Sequence, residues 1–174
     1  NNIIKHKLKM KVELKSIEHS DKLSHETLAF FGKVFVNGKY IAHAENDGRG
    51  GSTDVYPVGT TWDEEGNATY NKTNKETLNK LREWADEKFT YGLEQLIDDL
   101  VMEELYWRDF QKLKRRKLLY YQPNKVRGEI RSAGSYRPEY IELVQKTSWW
   151  KPEYVVLNKV KRNDFIENYL GAFL

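Results

Sequence analysis

Cysteine is absent from the 174 residues, and that one absence removes several chemistries together. No disulfide can staple the chain, no thiolate can act as a nucleophile, and no zinc–thiolate cluster can form. Long apolar runs are missing too: none approaches the roughly 20 residues that a membrane-spanning helix needs. The opening stretch NNIIKHKLKMKVELK is basic but has no continuous apolar core, so a secretory signal is not expected there. The Asn-x-Thr matches at Asn67 and Asn71 are then chance matches rather than glycosylation sites. A cytoplasmic protein is the expectation. Histidine is sparse, at four residues, His6, His19, His25 and His43. None has a second histidine at helical spacing, and no serine sits in a recognisable nucleophile elbow. Internal repeats and low-complexity segments are also lacking.

What is present describes a folded, polar chain. The length fits one domain, or one domain with an appended subdomain, and is enough to bury a core without staples. Hydrophobic residues make up 39% and charged residues 32%, a composition that places the chain among globular rather than disordered sequences. Eleven Tyr and five Trp supply bulky core and contact surface. The net charge is only +3, but it is unevenly laid out. Gln111 to Arg131 holds eight basic residues and one acidic residue, whereas Glu94 to Asp109 holds six acidic and one basic. Such asymmetry bears on partners more than the total does.

Periodicity predicts the elements. KMKVELKSIEH alternates Met10, Val12 and Leu14 with polar residues, as a half-buried strand does. Asn37-Gly38 between two alternating runs is a type I′ hairpin signal. A plain two-residue register would set Val34 opposite Ile41 and Gly32 opposite His43. Residues 58–72 form a loop or loose hairpin. Thr73 and Glu76 have capping-box spacing ahead of a helix carrying Leu78, Leu81, Trp84, Ala85 and Phe89. A second helix runs from about Tyr91 to Arg116, with Gly92 at the break. The remainder predicts KLLYYQ and KVRGEIR as strands, a helix with Pro138 in its first turn, EYVVLN as a short strand, and a last helix capped by Asn163 or Asp164. The fold class is therefore α+β: an N-terminal antiparallel β-meander (1–72), a central helical pair (73–117) and a small C-terminal ββαβα unit (118–174), packed as one compact chain.

VNGKYIAHAENDGRGGST, DFQKLKRRKLLYY and VVLN ahead of a final short helix together resemble a group of small proteins from bacteriophages and mobile elements of Bacteroidota-like bacteria, over about half of the chain. The resemblance implies a phage or mobile-element setting and no catalytic residue. SYRPEYIELVQKTSWW has no counterpart in that pattern.

Five stretches invite chemistry. Gly48, Arg49, Gly50, Gly51 and Ser52 could cradle an anion on successive backbone N–H groups. However, the Lys of a Walker loop is missing and DVYPV after it is extended rather than helical. A mobile turn that uses glycine for positive φ explains the stretch equally. Asp99 and Glu103 share a helical face and could hold a divalent cation, or simply be a solvated acidic face. His43 with Glu45 on the same face could act as a base, or be a strand histidine. Trp149-Trp150 cannot both face one way on an extended chain, so one is a candidate for an interface. The fifth is the basic segment. Lys112, Lys114, Arg115, Arg116, Lys117, Lys125, Arg127 and Arg131 are interleaved with Tyr120 and Tyr121, the combination used on single-stranded nucleic acid. A helix C-terminus favours cations through its dipole alone, and the tyrosines could be core.

No cofactor motif, nucleophile–base pair or metal spacing is present, so no cofactor or metal is expected. The expectation is a non-enzymatic, phage-type accessory binding protein. It would engage a protein or nucleoprotein partner, as an anti-defence inhibitor or virion-associated protein would, with nucleic acid a further candidate. The alternative is a nucleotide- or phosphate-handling enzyme using the Gly48–Thr53 loop.

Overall fold

The computed structural model describes residues 10–124 and 128–173. The chain is an α+β protein, with a four-stranded antiparallel sheet, then helices, then a second small sheet. Its contacts divide it into two units, Asn1–Val101 and Met102–Leu174. Among the described residues no helix is long and apolar enough to cross a membrane.

The first unit holds β1 (Val12–His19), β2 (Phe30–Val36), β3 (Lys39–Asn46) and β4 (Asp54–Pro57), ordered β1-β2-β3-β4. The expected three-stranded meander gains a fourth strand because the extended DVYP segment pairs with β3. Phe30, Gly32, Val34 and Val36 alternate on the buried face of β2. Asn37 and Gly38 both have positive φ, as a type I′ turn requires. The register beyond the turn differs from the plain ladder. Phe35 pairs with Tyr40, but Val34 then pairs with Ala42 and Gly32 with Ala44. An extra residue at Ile41 makes a β-bulge. A strict ladder would carry His43 onto the apolar face opposite Gly32. The bulge puts Ala42 and Ala44 there, both fully buried, and pairs His43 with Lys33. The space above Gly32 is filled by Leu14, not by an imidazole. A second irregularity, at Ser16 with positive φ, breaks the alternation of β1 and turns Ile17 inward.

Residues 58–72 contain a short hairpin, β5 (Thr61–Trp62) with β6 (Ala68–Thr69). Helix α1 (Lys72–Asp86) follows. Its N-cap is Asn71, whose side chain accepts the Asn74 N–H at 3.0 Å. Thr73 and Glu76 lie inside the helix, so the expected capping box does not form. An Asn two residues upstream is the stronger cap. Leu78, Leu81 and Ala85 form the buried stripe of α1, which packs on β3 and β4. Helix α2 (Gly92–Arg116) opens at the predicted glycine and contributes Leu93, Leu96, Ile97 and Val101 to the buried residues of this unit.

The second unit starts within α2 and adds β7 (Lys117–Gln122), β8 (Glu129–Ser135), α3 (Tyr140–Gln145), β9 (Val155–Val156), α4 (Arg162–Asn168) and α5 (Leu170–Phe173). The central strand β7 is flanked by β8 and β9. Phe110, Leu119, Leu157 and Phe165 are the core, with the Phe110 and Phe165 rings stacked at 4.3 Å. Three boundaries differ from expectation. The second strand begins at Glu129 and extends to Ser135, while residues 125–127 lie outside the described residues. Pro138 precedes α3 instead of lying in its first turn. Helix α4 has Lys161 at its N-cap. Asn163 and Asp164 fall in its first turn, where Asp164 accepts the Asn168 amide at 2.8 Å.

Candidate functional site: a basic edge on the second unit

The glycine-rich turn after β3 is held from within. Asn46 is its hub: its Oδ1 accepts the Gly48 N–H at 2.9 Å and the Thr27 hydroxyl at 2.7 Å, and its Nδ2 donates to the Gly51 carbonyl at 3.0 Å. The Arg49 N–H donates to Asp47 and the Gly50 N–H to Thr27. The Gly48 carbonyl accepts the N–H groups of His25 and Glu26 at 2.9 and 3.0 Å. Gly48 is obligatory here, because φ is +82° and a Cβ would collide with the Leu23 carbonyl. The N–H groups of Gly48, Arg49 and Gly50, which an anion cradle would aim at its ligand, are thus already engaged. Asp47 and Asp54 also line the adjoining cleft with Glu45, Gly51 and Ser52.

The acidic run on α2 has structural work of its own. The Thr53 N–H donates to Glu94 at 3.0 Å and the Thr53 hydroxyl to Asp98 at 2.7 Å. Burial holds the Asp98 carboxyl above its ordinary value, opposed by the Thr53 hydrogen bond and reinforced by the charges of Glu94 and Asp99. A cleft of about 540 Å³ beside β4 and α1 carries Lys75 and Arg82 against Asp54, Asp86 and Glu94. Arg82 already donates to the Val55 carbonyl at 3.1 Å, and three carboxylates against two cations leave this cleft without the positive charge an anion site needs. His43 lies between the rings of Phe31 and Tyr56, at centroid distances of 5.8 and 6.3 Å, a packed strand histidine. Among the described residues no three His, Asp or Glu side chains gather to hold a metal ion.

The basic segment separates into engaged and unengaged cations. Lys112 pairs with Asp109 at 2.9 Å. Lys114 lies over the Trp107 and Phe110 rings and donates to the Val160 carbonyl at 3.3 Å. Burial, then the neighbouring charge of Arg115, holds its ammonium below the ordinary lysine value. Arg131 reaches Glu129 through both Nε and Nη2, at 2.9 and 2.7 Å. Lys125 and Arg127 lie outside the described residues. Arg115, Arg116 and Lys117 remain. All three are exposed, and none has an ion-pair partner among the described residues.

These three cations do not serve as caps for the helix they end. The buried Asn158 does that: its Nδ2 donates to the carbonyls of Lys114 and Lys117 at 2.7 and 2.8 Å, and its Oδ1 accepts the Leu119 N–H at 2.8 Å. The Arg116 carbonyl accepts the Tyr136 N–H at 2.9 Å. Of the last-turn carbonyls that a helix leaves without helical partners, those of Lys114 and Arg116 are therefore bonded by other residues.

The Tyr136–Arg116 bond, with Lys117 paired to Ser135, brings a further group to the same end of the sheet. Arg137 follows Tyr136 and lies over the ring of Tyr140, 5.5 Å from its centroid. Tyr140 is 37% exposed. A cation–aromatic pair from the chain after β8 thus joins the cations at the α2–β7 junction. Sequence reasoning missed it because Arg137 and Tyr140 lie outside the basic run. The signal was local, in RPEY, but only the β7–β8 pairing gives it a neighbour.

The tyrosines of the basic segment have other duties. Tyr120 is buried under Trp149, Trp150 and Tyr154, at centroid distances of 5.7, 5.3 and 5.4 Å, and Tyr121 packs edge-on to Tyr169. Tyr120 therefore offers no open face. Trp149 and Trp150 both contact Tyr120, because the chain turns there rather than running extended. Trp149 keeps 45% of its surface exposed. Compared with family models, curated proteins and solved structures, the chain matches none.

Proposed function

We propose that this chain is a non-enzymatic accessory binding protein of the phage or mobile-element type, and that it engages an anionic face of a protein or nucleoprotein partner through the basic edge of its second unit. The observation that carries the reading is the run Arg115, Arg116 and Lys117: three consecutive exposed cations, without an ion-pair partner among the described residues, at a helix end where Asn158 and the Tyr136 N–H bond the Lys114 and Arg116 carbonyls. Cations without an internal role are the ones a partner's charge can use, and clustering raises the local potential that steers such a partner. Host cytoplasm, with a virion-associated role as one setting, suits this reading. The test compares the parent chain with Arg115→Glu/Arg116→Glu/Lys117→Glu and with Arg49→Ala, on a heparin matrix at rising salt and in a phage-fitness assay. The triple reversal is expected to abolish salt-dependent retention and to impair fitness, while Arg49→Ala leaves both unchanged. The reverse pattern would move the site to the Gly48–Thr53 turn and overturn the reading.

A further inference from the structure

Resting on that reading, we infer that the partner at the basic edge is single-stranded nucleic acid, its phosphates lying on Arg115, Arg116 and Lys117 and an unpaired base stacking on Tyr140. The neighbours of the cations distinguish one partner from another. An acidic protein surface needs only charge from this site. Here an exposed aromatic ring is placed beside the charge by a backbone hydrogen bond, Tyr136 to Arg116, and by the Arg137 guanidinium over that ring. No residue of helix α3, on which Tyr140 sits, is fully buried, and Tyr140 keeps 37% of its surface exposed, which leaves part of the ring open beside the Arg137 guanidinium. A tyrosine face beside phosphate-binding cations can be used only by a strand whose bases are unpaired, because a duplex hides base faces in its own stack.

The site differs from the one suggested by the linear sequence: Tyr140 takes the stacking role, because Tyr120 is buried under Trp149, Trp150 and Tyr154 and Tyr121 packs on Tyr169.

The experiment is fluorescence anisotropy with a labelled oligothymidine and with the duplex it forms with oligoadenine, at low and moderate salt. The single strand is expected to bind at least about tenfold more tightly than the duplex. Tyr140→Ala should weaken it by about five- to a hundredfold, the worth of one stacked base, with little change in the salt slope. Tyr140→Phe should keep the affinity, and Arg116→Glu should flatten the salt slope. Because no residue of α3 is fully buried, the circular dichroism of Tyr140→Ala should match that of the parent. Equal binding of duplex and single strand with Tyr140→Ala silent would overturn this inference and leave the proposed function standing. So would no binding of either nucleic acid while the chain still binds polyglutamate through Arg115, Arg116 and Lys117. If charge reversal at those three residues changes no polyanion binding at all, both fall.

Discussion

The glycine-rich turn after β3 and the basic end of α2 both carry residue types that anion sites use. In the turn, Asn46, Asp47 and Thr27 engage the N–H groups of Gly48, Arg49 and Gly50, and carboxylates crowd the adjoining cleft. At the helix end, Asn158 and the Tyr136 N–H bond the carbonyls of Lys114, Lys117 and Arg116, and the cations have no ion-pair partner among the described residues. The two regions differ in what their polar groups already do. Composition marks both as candidates, and an account of hydrogen bonds and ion pairs separates them.

The largest effect is expected inside the second unit. Phe165→Ala removes a fully buried ring stacked on Phe110 and should cost about 3–5 kcal/mol of stability in denaturant unfolding. Next is Asn158→Ala, which strips the buried Leu119 N–H of its acceptor and two carbonyls of their donor. A loss of about 2–3 kcal/mol is expected, and polyanion binding should fall with it, since the α2–β7 junction that presents the cations would loosen.

In the first unit the turn should behave as a structural device. Gly48→Ala must place a Cβ against the Leu23 carbonyl at positive φ and should cost more than about 1 kcal/mol. Gly51→Ala, with open space around its Cβ, should be close to neutral, as thermal unfolding of the two variants would show.

A smaller effect is expected at Asp98. Burial raises its carboxyl pKa in the folded state, so the folded chain takes up that proton at higher pH than the unfolded one. The carboxylate is then a net cost at neutral pH, relieved as pH falls through the raised folded value toward the ordinary 3.8. Asp98→Asn keeps an oxygen for the Thr53 hydroxyl. It should be at least as stable as the parent at neutral pH, with the gain shrinking on acidification in pH-dependent denaturation. Arg115→Glu/Arg116→Glu/Lys117→Glu should cost only about 1–2 kcal/mol, the effect of acidic groups at a helix C-terminus, while abolishing heparin retention. That split between stability and binding would sharpen the comparison most.

Much of the fold was legible because strong local signals agreed with the tertiary outcome: the Asn37-Gly38 turn, the alternating strands around it, and the leucine stripes of both helices. The misses have local physical causes. The bulge at Ile41 depends on which side chains the sheet face accepts across strands, and Asn and Thr compete as caps within three residues of each other. The site was half legible. The basic run stands out in the chain, but which cations are engaged depends on distant partners: Lys114 on Val160, and the helix carbonyls on Asn158 and Tyr136. Tyr140 could be placed beside them only through the β7–β8 register.

The central claim is that the unengaged cations of the second unit, and not the glycine-rich turn, meet the partner. Amide chemical-shift mapping during titration with a heparin-derived oligosaccharide tests it directly. Shifts are expected to concentrate at residues 115–117 and 136–140 while Asn46 to Thr53 stay unmoved. Shifts centred on Gly48 to Thr53, with Arg115 to Lys117 silent, would contradict it.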